Sequence, residues 1–163
     1  MDLFKWLNMI LFRTKRESKI QYQKTFVNKA IEIFNPLFSK YSFELINHES
    51  NEISSRIIFK KGIKYILILA QNDYRDGSFF ELLIGGSLDF ETNSFDEYYI
   101  SINRLYKIVR KKGVDFYPFP IGERKCSKSL EKAKKDFLKC ALFYLETEED
   151  LFDKILKLKE IRQ

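Results

Sequence analysis

Residues 53–85 carry the densest apolar writing in the chain, and they constrain the fold more than any other stretch. The runs Ile53 to Phe59, Ile63 to Ala70 and Ser78 to Ile84 are rich in β-branched and aromatic residues. Each has strand length and is bounded by Gly, Asn or Asp. They read as three consecutive antiparallel strands. Lys60 to Gly62 is hairpin-like, with Gly62 free to take a positive φ, and Gly85-Gly86 closes the meander. Ser42 to Ile46 reads as a shorter strand ahead of them, followed by a polar turn over 47–52. In the 53–59 run, Ile53, Ser55, Ile57 and Phe59 share one face and Ser54, Arg56 and Ile58 the other. The 65–70 run is apolar on both faces, which predicts a central strand covered from both sides by helices or by a partner.

Helical periodicity surrounds this meander. Residues 2–12 fit a short helix with Leu3, Leu7, Ile10 and Leu11 on one face. Residues 18–34 repeat Val27, Ala30, Ile31 and Phe34 at helical spacing, and Pro36 is expected to end or kink that helix. Ser94 to Glu97 has the form of a capping box, followed by a stripe of Tyr98, Ile102, Leu105 and Val109 and a stop at Gly113. Residues 127–145 form a further helix, and Thr147 to Asp150 caps a last one. The predicted class is α+β: a four-stranded antiparallel meander over about 42–84, flanked by helices in the order ααββββααα. At 163 residues a single domain over 1–163 is the expectation. Segment 1–16 is read as an N-terminal helix that either docks on the sheet or lies on a membrane interface, with Trp6 as anchor and basic residues behind it.

Catalytic signals are weak. The single histidine, His48, stands in a polar turn without a second ligand nearby, so no zinc site of ordinary spacing exists. No nucleophile elbow or phosphate-binding glycine loop occurs. Asp73, Asp76 and Glu81 would be needed for a metal cluster, but an Asp-Gly turn closing a hairpin explains Asp76 and Gly77. Neither a metal nor a cofactor is expected. Cys126 and Cys140 lack framework spacing, and free thiols in a cytoplasmic protein are the simplest account. No stretch is long enough to span a bilayer, and no cleavable leader is expected.

Binding signals are stronger. Tyr74 and Arg75 are residue types favoured at interface hot spots. Asp89, Glu91, Asp96 and Glu97 form an acidic stretch. Phe116, Tyr117 and Phe119 lie between Val114 and Lys125, where Pro118 and Pro120 forbid helix and central strand. That aromatic stretch either folds on the core or presents rings to a partner. The formal net charge is +6. Six lysines between 125 and 139, with Arg110, Lys111 and Lys112, make a basic 110–139 face that a nucleic acid could use.

A long helix, then Phe43 and Leu45, the run Ser55 to Ile68, and the turn Asp73 to Gly77 ahead of another strand together resemble small bacterial immunity proteins. Those are cytosolic binders that neutralise toxins of contact-dependent or other interbacterial systems. The resemblance covers roughly residues 20–112. It implies a non-enzymatic protein that occludes a cognate toxin domain, with Tyr74, Arg75, Asp89, Glu91, Asp96, Glu97, Phe116, Tyr117 and Phe119 as the partner-binding residues. A nucleic-acid-associated module using the 110–139 face is the alternative, and membrane contact through 1–16 remains a further option.

Overall fold

The computed structural model describes residues 3–73, 77–86, 99–110 and 116–147. Helix α1 spans Leu3–Ser39, followed by strands β1 (Glu44–Ser50), β2 (Ser54–Lys61), β3 (Lys64–Asp73) and β4 (Gly77–Gly85). Then come β5 (Tyr99–Ser101), α2 (Ile102–Arg110), β6 (Tyr117–Pro118), α3 (Glu123–Cys140) and α4 (Leu142–Glu146). The four-stranded meander is present in sequence order, every neighbouring pair antiparallel. The β2–β3 hairpin closes over Gly62 and Ile63, with Gly62 at φ 58°. Asn51 shapes the β1–β2 turn, its Oδ1 accepting from the Ile53 and Ser54 amides, both at 2.8 Å.

The sheet does not stop at four strands. β5 pairs with Leu83–Gly85 of β4, and β6 pairs with Phe79 and Phe80, so two short strands divide the outer edge of β4 between them. The capping-box pattern places residues 99–101 inside a helix starting at Ser94. They are strand instead, because Tyr99 and Ile100 bury against β4, and the helix begins only at Ile102. Ser101 caps it, its Oγ accepting from the Arg104 amide at 3.2 Å. Ser94 and Glu97 lie outside the described residues, as does the helix expected after Thr147.

The two expected N-terminal helices are one. Arg13, Lys15, Arg16 and Glu17 are good helix formers, and Arg13 pairs with Glu17 at 3.0 Å across one turn. Pro36 sits inside the last turns without ending the helix. A helix-interior proline costs about 3 kcal/mol. Against that, Phe38 is fully buried and its ring meets Phe34, Phe43, Phe59 and Phe137 at centroid distances of 4.9–6.4 Å. Burial of one such ring contributes about 1.5–3 kcal/mol, and aromatic pairs add about 0.5–1.5 kcal/mol each. Tertiary packing therefore outweighs the local penalty. Chain reversal follows at Ser42, which takes φ 64°.

One face of the sheet carries Ile57, Phe59, Ile66, Ile68, Phe80, Leu82 and Ile84, packed against residues from all four described helices. The opposite face carries a smaller apolar cluster of Ile58, Tyr65, Leu67, Leu83 and Tyr99, to which none of the described helices contributes a residue. Leu67 is fully buried all the same, so the central strand is covered on both sides. Gln23 ties α1 to the sheet: its Nε2 donates to the Ile53 carbonyl at 2.8 Å and its Oε1 accepts from the Ser55 hydroxyl.

Candidate partner-binding surface

Strand register builds the most distinctive surface. On the face that the described helices leave alone, Glu49, Arg56, Leu69 and Glu81 stand side by side across β1, β2, β3 and β4. Arg56 Nη2 lies 2.6 Å from Glu49 Oε1. Next along the strands comes Gln71 beside Phe79, and Phe79 packs on Phe116 with ring centroids 5.3 Å apart. These side chains, Phe116 apart, line an open cavity of about 650 Å³ at this end of the sheet. Phe116 is 50% exposed. An aromatic pair beside a row of alternating charge can hold a polar or charged partner surface while burying a modest apolar area.

The aromatic stretch resolves by alternation. Phe116 points outward, whereas Tyr117 and Phe119 are buried in the main core, at 3% and 7% exposure. Their expected role as partner-contacting rings is corrected here: Tyr117 and Pro118 form the edge strand β6, and extended chain sends alternate side chains to opposite faces. Pro118 is tolerated because an edge position needs no amide from it. The neighbouring Phe119 amide supplies the bond instead, donating to the Ser78 carbonyl at 3.1 Å. Tyr117 stacks on Phe80 at 5.0 Å and its hydroxyl donates to Asp136 at 3.0 Å. Burial, with Asp136 beside it, pushes the Tyr117 phenol well above its ordinary pKa. Tyr74, Arg75, Asp89, Glu91, Asp96 and Glu97 lie outside the described residues.

Asp73 and Glu81 do not assemble a metal site. Asp73 pairs with Gly77 and Glu81 with Leu69, four rungs apart along the same hairpin. At about 3.3 Å per residue that is roughly 13 Å, beyond any shared cation. Among the described residues no group of three or more His, Cys, Asp and Glu is placed to hold a metal ion.

The basic face is more ordered than its sequence suggested. In α3 the residues Cys126, Leu130, Ala133, Phe137 and Cys140 are buried. Lys125, Lys128, Lys132, Lys135 and Lys139 are all exposed. At 100° per residue these five lysines fall within an arc of about 80°. Glu131 flanks the stripe, and Asp136 on the other flank is already engaged by Tyr117. Arg110 is the last residue of α2, and Lys111 and Lys112 lie outside the described residues.

A second cavity, about 440 Å³, opens where α1 passes the β1–β2 turn. Phe12, Lys15, Arg16 and Lys19 line one side and Glu52, Ile53 and Asp73 the other, with Arg16 Nε 2.6 Å from Glu52. The lysines of α3 belong to the basic face expected from sequence, whereas the charged row is not legible there as a unit. Arg56 could be assigned a face from alternation, but its neighbours follow only from register. Comparison with protein-family models, with curated proteins and with solved structures finds no match.

Proposed function

We propose that this is a non-enzymatic cytoplasmic binding protein of bacterial competition, which neutralises a cognate toxin domain by covering its active site or substrate path. The observation that carries this reading is the Phe79–Phe116 pair set beside the Glu49–Arg56–Leu69–Glu81 row, on a sheet face to which the described helices add nothing. Hot-spot energetics favour such a patch: an aromatic and an arginine anchor the centre, and flanking carboxylates select a partner of complementary charge. A stable complex would bury about 800 Å² of this chain. The toxin domain encoded beside this gene should be captured by the purified chain. Phe116→Ala should weaken that complex about 5–100-fold, without loss of folding, because the ring is half exposed. Failure of the neighbouring toxin to bind, or an unchanged affinity in the variant, would defeat the assignment to this surface.

The lysine stripe of α3 favours a second reading, a nucleic-acid-associated module. Five phosphate contacts would give a log–log salt slope of about −4.5 on duplex DNA. Replacing Lys128, Lys132 and Lys135 with glutamine should flatten that slope by about 2.7. Binding that ignores salt, or no binding at all, removes this reading.

A further inference from the structure

We infer that the outer edge of β1 joins two copies of this chain into a dimer with one continuous antiparallel sheet. Among the described residues β1 pairs with β2 alone, which leaves its other edge unpaired. From Glu44 to Ser50 every residue but Leu45 is exposed, so that edge lies open. The adjoining turn sets the phase of the ladder: the Asn51 amide donates to the Ser54 carbonyl at 2.9 Å. Bonded and non-bonded pairs alternate along an antiparallel ladder, so Glu49 with Arg56 and Asn47 with Ile58 are the bonded pairs toward β2. The backbone N–H and C=O groups of His48 and Ser50 therefore point outward, where an added strand would meet them. The usual guards of such an edge are few. β1 holds no proline or lysine, and Glu49 is already paired with Arg56 at 2.6 Å. The irregularity between Leu45 and Asn47 affects only the first half of the strand.

Self-complementarity chooses a second copy as the occupant. Within 47–50, a two-fold axis can match outward backbone groups only at His48, at Glu49 or at Ser50. An axis at Glu49 sets that carboxylate directly opposite its own copy, and like charges so placed repel. An axis at Ser50 runs the pairing into the turn that Asn51 holds. An axis at His48 makes two backbone bonds between the two His48 residues. It also sets Asn47 opposite Glu49 twice, an amide donor facing a carboxylate acceptor. Ile46, 45% exposed, gains cover from the same pairing. Both helix-free faces then lie on one side, and the joined sheet carries two Phe79–Phe116 patches. An arbitrary foreign strand has no such match built in. So short a seam buries less than the roughly 800 Å² per copy of a standard interface, and a Kd on the order of 100 µM is expected. Dimerisation of this kind is independent of any toxin.

Sedimentation equilibrium of the full chain, from about 5 µM to about 1 mM, tests this. The average mass should rise from 19.6 kDa toward twice that value. His48→Pro removes one outward N–H from each copy and leaves the β1–β2 ladder intact. It should weaken association at least about tenfold, with circular dichroism unchanged. His48→Ala keeps the N–H and should leave the dimer within about twofold of its original affinity, because the backbone makes the bonds. Asn47→Lys sets a cation opposite Glu49 twice and should tighten association about 2–30-fold. That variant carries the test alone if His48→Pro does not fold. A chain that stays monomeric at the top of the concentration range overturns the inference. So does a dimer that His48→Pro spares, or one that His48→Ala dissolves or Asn47→Lys weakens. Toxin capture by a monomeric chain, lost in His48→Pro, would give the edge to a strand of the toxin instead.

Discussion

The Tyr144 hydroxyl accepts from the Tyr65 amide at 3.0 Å and donates to the carbonyl of Tyr65 or of Gly85, two residues paired across β3 and β4. Beside it the Lys64 ammonium is buried. It donates to the carbonyls of Tyr144 and Thr147, at the C-terminal end of α4 where the helix dipole favours a cation, and sits 4.5 Å from the Tyr144 ring centroid. Tyr144→Phe keeps the ring and strands buried backbone groups. It should lower unfolding free energy by about 1–3 kcal/mol at unchanged urea m-value. An unaltered urea midpoint would show that water replaces the hydroxyl.

Elements differ in how much of them could be read from local sequence. β2, β3 and β4 were legible because β-branched content, run length and turn chemistry at Gly62 and Gly77 are local signals. β1 was only half legible. The polar residues expected to form a turn from Asn47, His48 among them, continue the strand to Ser50, paired with Ser55–Ile58 after a register shift between Leu45 and Asn47. β5 and β6 were not legible: strands of three and two residues exist only through their pairing with β4. The burial of Tyr117 and Phe119 was latent in the alternation from Phe116 to Phe119, but the two prolines drew the reading toward an irregular loop. For α1 the proline signal was real and lost to the Phe38 cluster. Pro36→Ala should therefore stabilise the chain by roughly 1–3 kcal/mol, the recovered bond and relieved clash less the chain entropy proline removes. Thermal melting checks this, and a lowered midpoint would mean that the backbone path imposed by the proline is what seats Phe38. Of the candidate surface, Arg56 and Phe116 were visible as residues. The row across four strands required register, which no single segment encodes.

For the whole molecule, pH acts through buried neutral acids. Burial pushes the Cys126 thiol up to about 11, opposed by Lys29 and aided by Glu123. Burial likewise raises Tyr99, with Tyr65 contributing, and Tyr117. Groups whose folded pKa exceeds the unfolded value keep their stabilising effect below the unfolded pKa and lose it as pH rises through the folded one. Stability should thus fall between pH 9 and 11, by on the order of 2 kcal/mol for Cys126 alone. Urea titrations should show Cys126→Ala declining less steeply over that range; an identical decline would clear the thiol of any part in it. The Tyr144 clasp has a consequence for synthesis. It joins partners 79 residues apart in sequence, so a nascent chain completes its central hairpin well before the tyrosine that plugs it leaves the ribosome. Until then the Gly85 end of that hairpin lacks its plug, and maturation of the sheet waits on the emergence of a residue far downstream of it.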